Sequence, residues 1–273
     1  MIPETLTINL QATKLVEIML MAFLGFALSS LVTPLYTHYA YRWQWWKKPR
    51  TTAVTGERSK VFLKLHAAKH RRNIPTMAGV IFVFSVVIIT LMFNLSREQT
   101  WLPLAAFVGA AAIGLIDDII NIKGTGAGVA GLPSKLKLLL ITLVAFIGGV
   151  YFYTKLDVSS IHVPFYGELG LGWLIIPLFI ITIISTANAV NITDGLDGLA
   201  GGLAAIAFGN YAIIAFLQGR IGVAGFCMTV VGVLLSYTWF NIHPARFFMG
   251  DVGSFCLGTA LGVVAMIPDT VLI

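Results

Sequence analysis

Charge is scarce in this 273-residue sequence: Asp, Glu, Lys and Arg make up 11% of it against 58% apolar residues, and the mean hydropathy is +0.88. A soluble domain of this size covers its surface with far more charge, so a water-soluble fold is excluded. Cysteine is as thin. Cys227 and Cys256 both fall inside apolar stretches, with no CxxC and no Cys/His spacing. That removes the basis for a disulfide framework or a zinc site and marks them as buried small thiols. A cleavable leader is not expected either. The first apolar stretch is long, follows Glu4 rather than a basic cluster, and lacks a small-residue cleavage site, so it is expected to remain as a helix.

What the sequence has in quantity is long apolar runs. One crossing of the hydrocarbon layer takes roughly 20 apolar residues, and such runs occur at about 15–36, 75–95, 102–120, 137–154, 172–190, 199–217, 222–240 and 253–272. The expected fold is an all-α polytopic membrane protein, a single integral-membrane domain over residues 1–273 with about eight transmembrane helices joined by short loops.

The basic residues orient it. Ten of the 18 Lys and Arg lie between Arg42 and Arg72, after the first helix, and the positive-inside rule puts that loop in the cytoplasm and the N-terminus outside. Alternate crossings then make Lys123, Lys135, Lys137 and Arg246 cytoplasmic, with Lys14, Arg97, Lys155 and Arg220 outside, a split of 14 to 4. Basic residues that flank membrane helices act as topology determinants and attract anionic headgroups or phosphates, so no nucleic-acid partner is expected. Lys47, Lys48 and Arg50 read as anchors beside an interfacial belt of Trp43, Trp45 and Trp46.

On that topology the carboxylates gather. Asp117 and Asp118 end the third helix, Asp194 and Asp197 follow the fifth, and Asp251 lies between the seventh and eighth. Ionised groups near a bilayer core are expensive and usually mark a working site. Hard oxygen donors without thiolate or imidazole sets favour magnesium or manganese, and the adjacent Asp117 and Asp118 repel each other unless a cation stands beside them. Gly195, Gly198, Gly201 and Gly202 around one pair, and Gly250 and Gly253 around Asp251, allow close backbone approach. Ser254 opens a helix whose amide end can hold an anion. Lys135 and Lys137 read either as phosphate contacts or as markers of a helix boundary.

Four segments carry a resemblance. Asn188-Ala-Val-Asn-Ile-Thr-Asp-Gly-Leu-Asp-Gly-Leu-Ala200 resembles the central signature of the polyprenyl-phosphate hexose-1-phosphate transferase superfamily. Ile74-Pro-Thr-Met-Ala-Gly79, Gly114-Leu-Ile-Asp-Asp118 and Asn241-Ile-His-Pro-Ala-Arg-Phe-Phe-Met-Gly-Asp-Val-Gly-Ser254 are similar to its other motifs, in the same order. The Ile192-Thr193 pair before Asp194 points within it to the branch that uses UDP-N-acetylmuramoyl-pentapeptide.

The resemblance implies transfer of phospho-N-acetylmuramoyl-pentapeptide to undecaprenyl phosphate, giving lipid I and UMP, in the cytoplasmic (inner) membrane of a bacterium by a homodimer with its site facing the cytoplasm. It implies Mg2+, with Asp251 as the principal ligand and Asp117, Asp118 and Asp194 as further candidates. It places Asp117, Asp118 and Asp251 in the catalytic group, Asn191, Asp194 and Asp197 around the nucleotide, and Asn241 and Phe248 beside the uracil. Phe248 is equally readable as helix packing. A phosphate monoester with a second pKa of about 6 is largely ionised at neutral pH, so direct attack on the β-phosphate is favoured over a covalent aspartyl intermediate.

Three departures stand out. Lys123 occupies the region of a family lysine, and Lys69, with His66, lies six residues before Pro75, a longer gap than the family's. Lys69 is the expected phosphate contact of that loop. The family also continues for two more helices (ten in all) and a histidine-rich loop, whereas this sequence ends at Ile273, within or just after the eighth expected helix. The alternatives are a sister enzyme using UDP-N-acetylglucosamine and, more remotely, an ion-coupled transporter.

Overall fold

The computed structural model describes residues 4–46, 73–124 and 131–267, with side chains from Gln11 onward. All eight expected helices are present: α1 (Glu4–Arg42), α2 (Gly79–Phe93), α3 (Trp101–Lys123), α4 (Ser134–Lys155), α5 (Ile175–Thr193), α6 (Leu199–Leu217), α7 (Ile221–Asn241) and α8 (Gly250–Met266). Six of them are long and apolar enough to cross a membrane, and the chain is a multi-pass membrane protein.

The other two, α2 and α8, have 15 and 17 residues. At 1.5 Å per residue they reach roughly 22–26 Å, short of the ~30 Å hydrocarbon layer. Each is preceded by non-helical backbone that is itself largely buried, Ile74–Ala78 before α2 and Phe247–Met249 before α8. Buried peptide groups need hydrogen-bond partners, and the two segments satisfy each other. Phe248 N donates to Pro75 O (2.8 Å), Ala78 N to Phe248 O (3.0 Å) and Gly79 N to Met249 O (2.9 Å), while Thr76 N reaches Trp45 O (2.7 Å) after α1. Met77 holds φ +75 within this pairing, a region that side-chain-bearing residues seldom enter.

Almost every residue of α8 is buried, and it forms the centre of the bundle against α3 and α5. The approach is close because glycine faces glycine or backbone. A Cβ on Gly79 would strike the Gly253 backbone, and one on Gly114 would strike the Asp251 carbonyl. Gly258 and Gly262, one turn apart, face Thr186, Ala187 and Ile183 of α5, which is the small-residue spacing that lets membrane helices touch. α7 is the second buried helix. Its Gly232 meets the Ala22 carbonyl of α1, while α1 turns Phe23, Leu31 and Leu35 outward.

One element lies outside the all-α expectation. Between α4 and α5, β1 (Ser160–Val163) and β2 (Gly167–Gly170) form an antiparallel hairpin, followed by a 3-10 turn at Gly172–Leu174. Alternation drives it: Ile161 points into the core while Ser160 and His162 point away.

Candidate active site

The C-terminal ends of α1, α3, α5 and α7 and the N-terminal ends of α2, α4, α6 and α8 meet at one end of the bundle, and every motif of the sequence lies there. Asp117 and Asp118 occupy the last turns of α3 and are buried. Asp251 is in the first turn of α8, brought against them by the Gly114 contact. One oxygen from each of the three carboxylates lies within 4.8 Å of the others.

Each carboxylate is held by a different element. Asp117 Oδ1 accepts from Leu132 N (2.6 Å) and its Oδ2 from Asn121 Nδ2 (2.9 Å), one turn along α3. Asp118 Oδ2 accepts from Val252 N at 3.1 Å. That bond runs to the first turn of α8, where unpaired amides and the helix dipole favour an anion. Gly250 holds φ +71 beside it, and a Cβ there would run into Asp118 Oδ2 and, at 2.8 Å, Thr76 Oγ1. Glycine is therefore required twice over, for the backbone angle and for the space.

Lys137 enters this group from α4. Its Nζ is 2.6 Å from Asp251 Oδ2 and 3.1 Å from Asp117 Oδ2, with the Phe255 ring 5.4 Å away. Of the two lysines with open roles, Lys137 is the one at the carboxylates; Lys135 is exposed, and so is Lys123. Three carboxylates and one ammonium leave a residual negative charge that a single divalent cation would balance, and the donors are all hard oxygens. The residues present thus fit a magnesium-class ion.

A second group stands at the α5–α6 turn. Asn191 Nδ2 donates to Ser254 Oγ (2.8 Å), one turn beyond Asp251 on α8. Asp194 is the C-terminal cap residue of α5, outside the three-carboxylate group. Asp197 Oδ2 accepts from Ala245 N (3.2 Å) and lies 3.1 Å from His243 Nδ1. Asn241 is buried and links both sides, accepting from Gly198 N (2.8 Å) and donating to Phe247 O (2.7 Å).

Phe248 is half-buried and its backbone carries the loop pairing, whereas its neighbour Phe247 is the packed ring, 5.5 Å from Tyr36 and 5.9 Å from Tyr237. Lys69 and His66 lie outside the described residues. Sequence reasoning did not find Asn121 or Tyr36, whose hydroxyl donates to the Thr76 carbonyl. The i, i+4 spacing of Asp117 and Asn121 was the one available signal.

Comparison with known proteins gives the family. Residues 100–269 match the model of the family described as glycosyl transferase family 4. The chain is 36% identical over 256 residues to a phospho-N-acetylmuramoyl-pentapeptide-transferase of Chloroflexus aggregans, covering 91% of this chain and 67% of the relative. It is 33% identical to the protein of that name from a Geobacillus species, over 92% of this chain and 75% of the relative. Against the one from Bacillus mycoides it is 43% identical, over 71% and 60%.

Proposed function

The chain belongs to glycosyl transferase family 4, and from that premise we propose that it transfers phospho-N-acetylmuramoyl-pentapeptide from its UDP derivative to undecaprenyl phosphate, forming lipid I and releasing UMP. The relatives' shared name supports the donor. The sister reaction with UDP-N-acetylglucosamine is not favoured by any of them, and neither is transport. In this reading the enzyme acts in the bacterial cytoplasmic membrane as a homodimer with the carboxylate end toward the cytoplasm, which the 14-to-4 charge split supports.

The observation that carries the reading is Lys137 bridging Asp117 and Asp251 beside the first turn of α8. The reaction joins two anions. An oxygen of the lipid phosphate attacks the β-phosphorus of the donor, the bond from that phosphorus to the bridging oxygen breaks, and UMP departs with the electron pair. The nucleophile is already ionised, so positioning and charge neutralisation dominate over general-base catalysis. Mg2+, when bound to Asp251 with Asp117 and Asp118, supplies neutralisation of the diphosphate and a fixed template for it.

The chain's own residues do the rest. Lys137 offers its ammonium to the phosphate oxygens, and Asn121 and the Leu132 amide keep Asp117 oriented. Asn191, Asp194 and Asp197 with Asn241 and Phe248 frame the nucleotide side, and Lys69 serves the lipid phosphate.

Purified protein in lipid, given undecaprenyl phosphate and UDP-N-acetylmuramoyl-pentapeptide, should release UMP in a Mg2+-dependent manner. UMP release from UDP-N-acetylglucosamine alone would overturn the donor assignment. Uptake of substrate into vesicles without UMP release would overturn the enzyme reading.

A further inference from the structure

We propose that the β1–β2 hairpin is a membrane-interface anchor, its aromatic tip Phe165-Tyr166 and the nearby Trp173 inserting into the lipid headgroup layer at the bundle end opposite the carboxylates. The hairpin joins the end of α4 to the start of α5, and the other ends of those two helices carry Lys137 and Asn191. Its base is fixed. Leu171 N and Gly172 N both donate to Ser159 O (2.8 and 2.9 Å), and Ile161 is buried in the core. By register Ser160, His162 and Glu168 share the opposite face, where Ser160 Oγ lies 3.0 Å from Glu168 Oε2 and His162 Nδ1 3.5 Å from Glu168 Oε1.

The tip is built the other way. Tyr166 N donates to Val163 O at 3.0 Å, closing a turn that holds Phe165 at φ +67. The Phe165 side chain is fully exposed, Tyr166 is 76% exposed and Trp173 67%. A phenyl ring turned outward gains nothing in water but gains burial in a headgroup layer, where Tyr and Trp also keep their polar edges wet.

Two observations select lipid as the occupant. The two helices that the hairpin joins both expose large apolar side chains, Leu143, Phe146 and Ile147 on α4 and Leu174 and Ile181 around the start of α5, the surface expected of helices bathed in lipid. And all six tryptophans stand at helix ends: Trp43, Trp45 and Trp46 after α1 and Trp239 in the last turn of α7 at the carboxylate end, Trp101 opening α3 and Trp173 preceding α5 at the other. Tyr151, whose hydroxyl donates to Arg97 O at 3.3 Å, joins the second girdle. The hairpin tip extends that girdle.

The inference stands apart from the choice of donor. Phe165→Cys carrying a nitroxide label tests it, because Cys227 and Cys256 are fully buried and stay unlabelled. In vesicles of phosphatidylethanolamine and phosphatidylglycerol, power-saturation EPR should give an oxygen-to-nickel-chelate accessibility ratio several-fold higher at position 165 than for a label at Glu168→Cys on the polar face. Equal ratios would place the tip in water and overturn the proposal. A label shielded from both reagents, with dipolar broadening, would mean a second copy of the chain covers the tip, which also overturns it. If thermal unfolding shows Phe165→Cys misfolded, Tyr166→Cys carries the same readout.

Discussion

Lys137 is the residue on which the carboxylate cluster turns. It is 21% exposed while Asp117 is 1% exposed, so removing the ammonium leaves a buried carboxylate without its cation. Breaking such a pair costs about 3 kcal/mol, the lower end of the buried range because the lysine keeps some solvent. Lys137→Met should lower the thermal midpoint and reduce UMP release by on the order of 10²-fold or more, as loss of a preorganised charge does. Lys137→Arg should recover stability better than rate, since a planar guanidinium cannot reproduce a point charge between two oxygens. For the metal, Asp251→Asn should weaken Mn2+ binding measured directly by EPR as well as abolish UMP release; undiminished Mn2+ affinity would remove Asp251 from the ligand set. None of these contacts was legible beyond residue type. Asp251 and Lys137 are 114 positions apart, and nothing in the local sequence distinguishes Lys137 from Lys135.

The elements were legible where length and hydropathy define them. All eight apolar runs became helices because a run of that length has no other way to satisfy its peptide groups in lipid. The hairpin was not, since two four-residue strands after a helix leave too short a pattern. The paired loops before α2 and α8 were invisible for a different reason: their bonds run between backbone atoms, which no side chain announces. Helix contact, by contrast, leaves glycine as a trace. Gly232→Ala would gain about 1 kcal/mol in helix propensity, yet its methyl would strike the Ala22 carbonyl, and overpacking costs about 1–3 kcal/mol. The expected result is net destabilisation with α1 loosened from α7, seen as a lower thermal midpoint. Gly258→Ala on α8 should act the same way against α5. Asn191→Ala and Ser254→Ala, combined in a double-mutant cycle on stability, should couple by about 1 kcal/mol.

At the scale of the whole molecule, alternation of the helices puts every motif at one end, and the proposed topology turns that end toward the cytoplasm. An impermeant thiol reagent applied to intact cells should therefore label a cysteine replacing exposed Glu168, on the polar face of the hairpin, and spare one replacing exposed His243; the reverse pattern would invert the topology. The sequence motifs located the active end as a set without revealing how its parts touch, because bundle geometry, not spacing, decides which helix ends converge.

The glycines that let α3, α2 and the start of α8 meet have a consequence for drug escape. Around Asp118 and Asp251 the wall of the site is peptide backbone: Gly114 against the Asp251 carbonyl, Gly250 at φ +71 against Asp118. An inhibitor resting on that backbone meets a surface that point mutation cannot reshape, since any side chain introduced there displaces the carboxylates the reaction needs. Resistance would have to arise from the outer rim, at exposed positions such as Ile192 or Leu196, where the side chain stands clear of the packed core.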